Sequence, residues 1–226
     1  MFSYYGSKSK IIKHYPPPEH DLIIEPFAGS ARYALLYHDK QVLLNDTYEI
    51  IIDNWNYLIK ATPEQIKNLP NFKRGDDLRT FDIPQVEKNL LGFVMARGRV
   101  KPANIYSPWA SEGDEIGTFK RRVLKNLDNI RHFETSCVDY RELENKEATW
   151  YIDPPYQQGG HLYVENSINY EELAEWCKSR KGQVIVCENG NANWLPFRPL
   201  VELQGQRRRT LELIWTNQDI PGDNCD

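Results

Sequence analysis

Thr149-Trp150-Tyr151-Ile152-Asp153-Pro154-Pro155-Tyr156 brings together the residue types in this chain best suited to chemistry. Four strand-prone residues run into an acid, two prolines and an aromatic. Neither proline can donate a ladder hydrogen bond, so a buried strand has to stop at Asp153. Each proline also biases the residue before it towards extended backbone, which makes the corner stiff. Such a corner presents one carboxylate, prolyl carbonyls with no adjacent N–H to satisfy them, and an aromatic face. Those are two hydrogen-bond acceptors and a stacking surface at the carboxyl end of a strand, the edge of an open α/β sheet where ligands bind. By itself the motif equally suits an ordinary strand-to-loop turn.

The elements that must position it follow from periodicity. Ser7 to Tyr15 reads as a short helix stopped by Pro16-Pro17-Pro18, and Asp21 to Ile24 as a buried strand. Glu25-Pro26-Phe27-Ala28-Gly29-Ser30 follows, with Ser30 expected to cap a helix through Asp39. Gln41 to Leu44 is a second strand ending at Asn45-Asp46. A helix is expected from Thr47 to Lys60, with Ile51, Trp55 and Leu58 on its apolar stripe. This alternation predicts a parallel sheet with crossover helices. From Thr62 to Arg131 prolines punctuate helical pieces, notably Gln85–Ala96 and Gly117–Ile130, and no strong strand is visible. Alternation resumes at Glu134–Val138, Ala148–Ile152, Tyr170–Arg180 and Gln183–Cys187. Leu200–Leu203 and Thr210–Thr216 read as a closing antiparallel hairpin. The expected architecture is α/β and Rossmann-like, mostly parallel, with that hairpin and a helical insertion. Residues 1–60 and 133–226 form the main domain and 61–132 an inserted subdomain.

Four strands therefore end in acids: Glu25, Asp46, Asp139 and Asp153. If the strands are parallel, all four carboxylates stand along one edge. The Pro26-to-Ser30 loop lets backbone approach a ligand, and Asp46 is placed where an acid accepts ribose hydroxyls. Gly-x-Gly-x-x-Gly is absent, so a nucleoside-containing ligand without a required pyrophosphate fits best.

The formal charge is −4, with 40% hydrophobic and 27% charged residues, which describes a globular chain. The charge is uneven. Lys88 to Arg131 holds nine Lys/Arg against four Asp/Glu, and the rest of the chain is net −9. The four cysteines, Cys137, Cys177, Cys187 and Cys225, have no paired metal-ligand spacing, so no metal site is expected and the thiols read as reduced and intracellular. No apolar run reaches membrane-spanning length, and the start shows no secretory pattern.

Tyr4-Tyr5-Gly6-Ser7-Lys8, Glu25 to Ser30, Asn45-Asp46 and Asp153 to Tyr156 occur in the order of the Dam-type adenine-N6 DNA methyltransferases, which this chain resembles. The resemblance is good over Phe2–Asp46 and Cys137–Tyr156 and looser in the C-terminal strands. It implies S-adenosylmethionine (SAM) as methyl donor, S-adenosylhomocysteine as product and double-stranded DNA as partner. It further implies a monomer, with weak dimerisation the alternative, in a bacterial or phage-encoded cytoplasmic setting such as restriction–modification. Tyr4, Gly6, Lys8, Glu25, Pro26, Phe27, Ala28, Gly29, Ser30, Asp46, Asp139, Tyr140 and Asp153 would then surround the cofactor. Ser7 stands where the family has a second glycine. Asp153 and the Pro154 carbonyl would accept the two hydrogens of adenine N6, with Pro155 holding the corner. Tyr156 would stack on a flipped-out base. Arg97, Arg99, Lys101, Lys120, Arg121 and Arg122 of the insertion would contact DNA. Related motifs also occur in ribosomal-RNA and protein-glutamine methyltransferases, and a silent nucleic-acid-binding module is the alternative from another class. A cytosine-N4 enzyme would more often carry Ser at position 153.

Overall fold

The computed structural model describes residues 1–9, 11–96, 98–107, 113–158, 160–164, 167–204 and 209–218. Five parallel strands form most of one sheet: β1 (Leu22–Glu25), β2 (Gln41–Asn45), β3 (Glu134–Ser136), β4 (Ala148–Ile152) and β5 (Gly182–Asn189). Strands β6 (Arg198–Gln204) and β7 (Arg209–Thr216) complete it as an antiparallel pair. The order is β3-β2-β1-β4-β5-β7-β6, so β7 lies between β5 and β6. The order reverses between β1 and β4, which makes the carboxyl ends of those two strands the topological switch point. The fold is Rossmann-like, as its alternating pattern predicts.

Strand β4 is buried at every position, which is why Ala148-Thr149-Trp150-Tyr151-Ile152 reads as a continuous apolar run rather than an alternating one. Its side chains serve two layers. Tyr151 packs with Ile23, Leu44 and Trp55 on one face of the sheet, and Trp150 and Ile152 pack with Leu173 and Trp176 on the other.

Six α-helices are described: α1 (Arg32–Leu36), α2 (Glu49–Lys60), α3 (Pro63–Asn68), α4 (Gln85–Met95), α5 (Glu115–Asn126) and α6 (Tyr170–Lys178). Ile51, Trp55 and Leu58 of α2 are fully buried, as their spacing predicts. Thr62 and Gln65 close a capping box at the start of α3, and Asp114 caps α5. Leu90, Leu91 and Phe93 of α4 join the same core as α2 and the sheet. The chain's first residues are wedged there. The Phe2 ring lies 5.5 Å from Trp55 and 5.7 Å from Phe93. The helices described between residues 61 and 132 thus share a hydrophobic core with the sheet. None of the described helices is long and apolar enough to cross a membrane.

Three local expectations need correction. Among the described residues of Ser7 to Tyr15 a 3-10 turn at Ile12–His14 stands in place of a helix; Gly6 takes a positive φ of 73° and the Lys8 side chain turns inward. Ser30 does not cap α1; the cap position is Ala31 at φ 45°, with no side-chain bond. Buried Glu25 supplies a carboxylate instead, its Oε1 accepting the Ala34 N–H at 2.7 Å. Strand β3 ends at Ser136, not Val138. There Asn45 takes over: its Oδ1 accepts from Ser136 Oγ and Val138 N, and its Nδ2 donates to the Val138 and Pro26 carbonyls.

Candidate active site

The parallel register places Glu25, Asp46, Asp139 and Asp153 at the carboxyl edge of the sheet, where all four line one cavity of about 300 Å³. Its floor is the Pro26-to-Ser30 loop, tied to the end of β2. Ala28 N donates to the Asn45 carbonyl at 2.8 Å, and Gly29 N to Asp46 Oδ2 at 3.0 Å. The other Asp46 oxygen accepts the Tyr48 N–H at the start of α2, and Trp55 Nε1 holds the Gly29 carbonyl. Gly29 has a φ of 45°, and a Cβ there would stand 3.0 Å from the Tyr4 ring. The Tyr4 ring is the wall above the loop.

Tyr140 and Phe27 form an aromatic corner, ring centroids 5.5 Å apart, on the far side of the same cavity. Asp139 lies beside them with its carboxylate engaged. It caps the 3-10 turn Tyr140–Glu142 and pairs with Arg141 at 2.7 Å, and that bond holds its pKa below the usual carboxylate range. Glu25 is 2% exposed, and burial pushes its pKa up to about 8 against the opposing Ala34 hydrogen bond.

Asp153 sits at the opening, and its partner is Lys8. The Lys8 ammonium is 2.9 Å from Asp153 Oδ1 and 3.6 Å from Glu212 Oε1, and lies 4.5 Å above the Tyr156 ring. Burial works against the Lys8 charge, but Asp153 and Glu212 more than offset it, and its pKa stands above the ordinary lysine range. Glu212 comes from β7 and is 4% exposed. Its Oε1 accepts the hydroxyls of Tyr15 at 2.7 Å and Tyr156 at 2.6 Å. Burial raises the Glu212 pKa despite those bonds and Lys8.

Lys8, Tyr156 and Glu212 also line a second, more open groove of about 620 Å³, which shares Tyr4, Gly6, Ser7, Lys8 and Arg32 with the first cavity. Gly6 borders both. Its φ of 73° disfavours a side chain, and a Cβ would come within 2.3 Å of the Tyr163 hydroxyl. Ser7, in the place of a glycine, uses its hydroxyl: Oγ accepts from Arg32 Nε at 2.9 Å and from Ser30 Oγ at 3.2 Å. Pro154 and Pro155 are buried, and Tyr170 donates its hydroxyl to the Pro155 carbonyl. The Pro154 carbonyl accepts no hydrogen bond among the described residues.

The loop after Tyr156 is pinned at its base. Gln157 N donates to buried Glu188, while Asn189 and Asn191 donate to Gln158 rather than into the groove. Among the basic residues, Arg97 lies outside the described residues. Arg99, Lys101, Arg121 and Arg122 are exposed. Lys120 is tied to the Lys67 carbonyl and Asn71, and Arg121 to Asp114. Arg122 alone of these five lines the groove beside Tyr156. Sequence reasoning passed over Glu212, Arg32, Tyr163 and Glu188. For Glu212 there was one signal: an acid in the middle of the apolar run Leu211-Glu212-Leu213-Ile214.

The class these features define is a Rossmann-like α/β protein whose ligand cavity lies at the switch point between β1 and β4. Residues 4–88 match the family model of the D12 class N6 adenine-specific DNA methyltransferases, consistent with the Dam-type motifs. That span holds Tyr4, Lys8, the Pro26-to-Ser30 loop and Asp46. Among solved structures, the rRNA methyltransferase aviRa from Streptomyces viridochromogenes is similar over 88% of this chain and 79% of its own, at 15% identity and a TM-score of 0.41. Comparison with curated proteins gives no match.

Proposed function

We propose that the protein transfers a methyl group from SAM to the N6 amino group of adenine in duplex DNA. The observation that carries this reading is the junction at Lys8, Asp153 and Tyr156. Two concave sites meet there, one acidic and aromatic, the other open and flanked by Arg122.

The cavity suits the donor on chemical grounds. Its volume lies at the lower end for small-molecule sites. Its acids favour a ligand carrying sulfonium and ammonium charges, and the Phe27–Tyr140 corner offers an adenine a flat apolar surface. Asp46 is placed to accept the ribose hydroxyls, and Tyr4 and the Gly29 loop to enclose the methionine part. Bound there, the donor supplies an electrophilic methyl group on a positively charged sulfur.

The chain's own residues do the rest. Adenine N6 is a weak nucleophile because its lone pair is delocalised into the ring. Asp153 and the Pro154 carbonyl accept its two hydrogens and favour a more tetrahedral nitrogen, which is preorganised electrostatics rather than covalent catalysis. Lys8 fixes the Asp153 carboxylate through Oδ1, and Pro154-Pro155 fix its backbone, so neither acceptor must reorganise as the methyl group moves. The Asp153 carboxylate takes the proton released from N6 after transfer. Tyr156, held by Glu212, offers a ring to a base turned out of the duplex, because N6 cannot reach the donor while stacked.

Incubation with methyl-labelled SAM and, in parallel, unmodified duplex DNA, RNA and protein tests the reading. Label recovered as N6-methyladenine from the duplex is expected. Label confined to RNA or protein, or no transfer at all, would overturn it.

A further inference from the structure

Four carboxylates line the donor cavity, yet the donor's amino-acid end carries a carboxylate of its own, and that group needs a cation. Three cationic side chains line the cavity: Lys8, Arg141 and Arg32. Lys8 is paired with Asp153 and faces Glu212. Arg141 is paired with Asp139 and Glu172. Arg32 has no carboxylate partner among the described residues. Its Nε donates to the Ser7 hydroxyl at 2.9 Å and its Nη2 to the Phe2 carbonyl at 3.0 Å. Both partners are neutral. They hold the guanidinium in place without cancelling its charge, and they occupy two of its five N–H donors.

We propose that Arg32 recognises the carboxylate of the donor's amino-acid end, with Ser7 and the Phe2 carbonyl as its fixed mount. This rests on SAM being the donor, as argued above. The mount matters because a preset guanidinium fork loses little freedom when it meets a carboxylate. Burial and neighbouring Arg122 both disfavour the Arg32 charge, so an arriving anion relieves two costs together. The acids then have a complementary task. They suit the ligand's hydroxyls and positive groups, and Arg32 its negative one. The hydroxyl of Ser7, where the family has a glycine, is part of the mount.

Arg32 also borders the outer groove, where a DNA phosphate is the competing anion. The cavity is favoured because its other two cations are already paired, whereas the groove has exposed Arg122 for a phosphate.

Calorimetric titration with S-adenosylhomocysteine and with its decarboxylated analogue, which keeps nucleoside, thioether and amine, decides the matter. The wild-type protein is expected to prefer the carboxylate-bearing ligand by about 10- to 100-fold. Arg32→Met should abolish that preference while binding the analogue within about threefold of wild type. Arg32→Lys keeps a charge without the fork, and should lose about three- to tenfold of the preference; its ratio decides if the Met variant does not fold. An unchanged ratio in the variants, or equal weakening of both ligands, overturns the proposal. So does a loss of duplex-DNA affinity with the ligand ratio intact, which would assign Arg32 to the groove. Failure of the wild type to bind either ligand refutes the choice of donor instead, a separate result.

Discussion

The acidic cavity and the outer groove share a wall but are built differently. The cavity is assembled from strand ends and the turns that follow them, with side chains tied to backbone close at hand. Asp46 bonds Gly29 and Tyr48, Asp139 caps its own turn, and Glu25 caps α1. The groove is assembled from side chains far apart in sequence. Lys8, Arg122, Tyr156 and Glu212 come from the N-terminal segment, α5, the corner after β4, and β7. Local hydrogen bonds make a site that exists as soon as its strands pair. Long-range ion pairs make one that depends on the whole sheet. The two halves should therefore fail differently when altered.

The largest effect is expected at their junction. Asp153→Ala removes the carboxylate acceptor, and methyl transfer should fall by about 100- to 1000-fold. Affinity for S-adenosylhomocysteine should stay within a few-fold of wild type. Single-turnover kinetics with a parallel binding titration checks this, and near-normal transfer would sink the assigned role.

Lys8→Met should damage the protein itself. It leaves Asp153 and Glu212 facing each other without a cation, a change that costs about 3–5 kcal/mol when a buried pair is broken. Denaturant unfolding would show it. Adding Glu212→Gln should restore part of the loss, and a double variant no better than the single one would argue against the coupling.

On the cavity side, pH is the sharper probe. Glu25 has its pKa raised by burial to about 8 from an ordinary value of 4.5. The folded state therefore binds more protons than the unfolded state between those values, and stability falls as pH rises through that window. Glu25→Gln mimics the protonated acid and can still accept from Ala34 N. Its stability advantage over wild type should be small near pH 4 and grow towards pH 8. Melting curves across that range check it; an advantage independent of pH would contradict the shift.

The smallest effect belongs to Arg122→Ala, which should weaken duplex-DNA binding several-fold. It should also lower the slope of affinity against salt by about one. S-adenosylhomocysteine binding should change far less, through the field of Arg122 at Arg32 alone. An equal change would mean that the two sites are less separate than their architecture indicates.

The same difference in construction explains what was legible from sequence. Strand ends announce themselves, because an apolar run followed by Asp-Pro-Pro or Asn-Asp has to turn, so residue types and order alone suffice to place the cavity acids. Ser30 shows the limit of that logic. It has the right residue type for a helix cap, but the next residue, Ala31, takes the left-handed conformation and the helix starts later under the Glu25 carboxylate. Glu212 could not be placed at all. A glutamate within a strand normally marks a solvated face, and its burial follows from Lys8, Tyr15 and Tyr156, which come from distant parts of the chain to cover it. The basic segment was conspicuous as composition, yet of its described members only Arg122 reaches the groove; Lys120 and Arg121 are spent on neighbouring helical and loop groups.

The bond between Tyr15 and Glu212 spans 197 positions of the chain. A ribosome delivers Lys8, Asp46 and Asp153 well before β7, so the residues of the acidic cavity are present on a nascent chain that still lacks β7. Only when β7 pairs with β5 do Lys8 and Tyr156 gain Glu212. Completion of the groove therefore waits on β7, and a chain lacking β7 would carry a cavity without a finished groove.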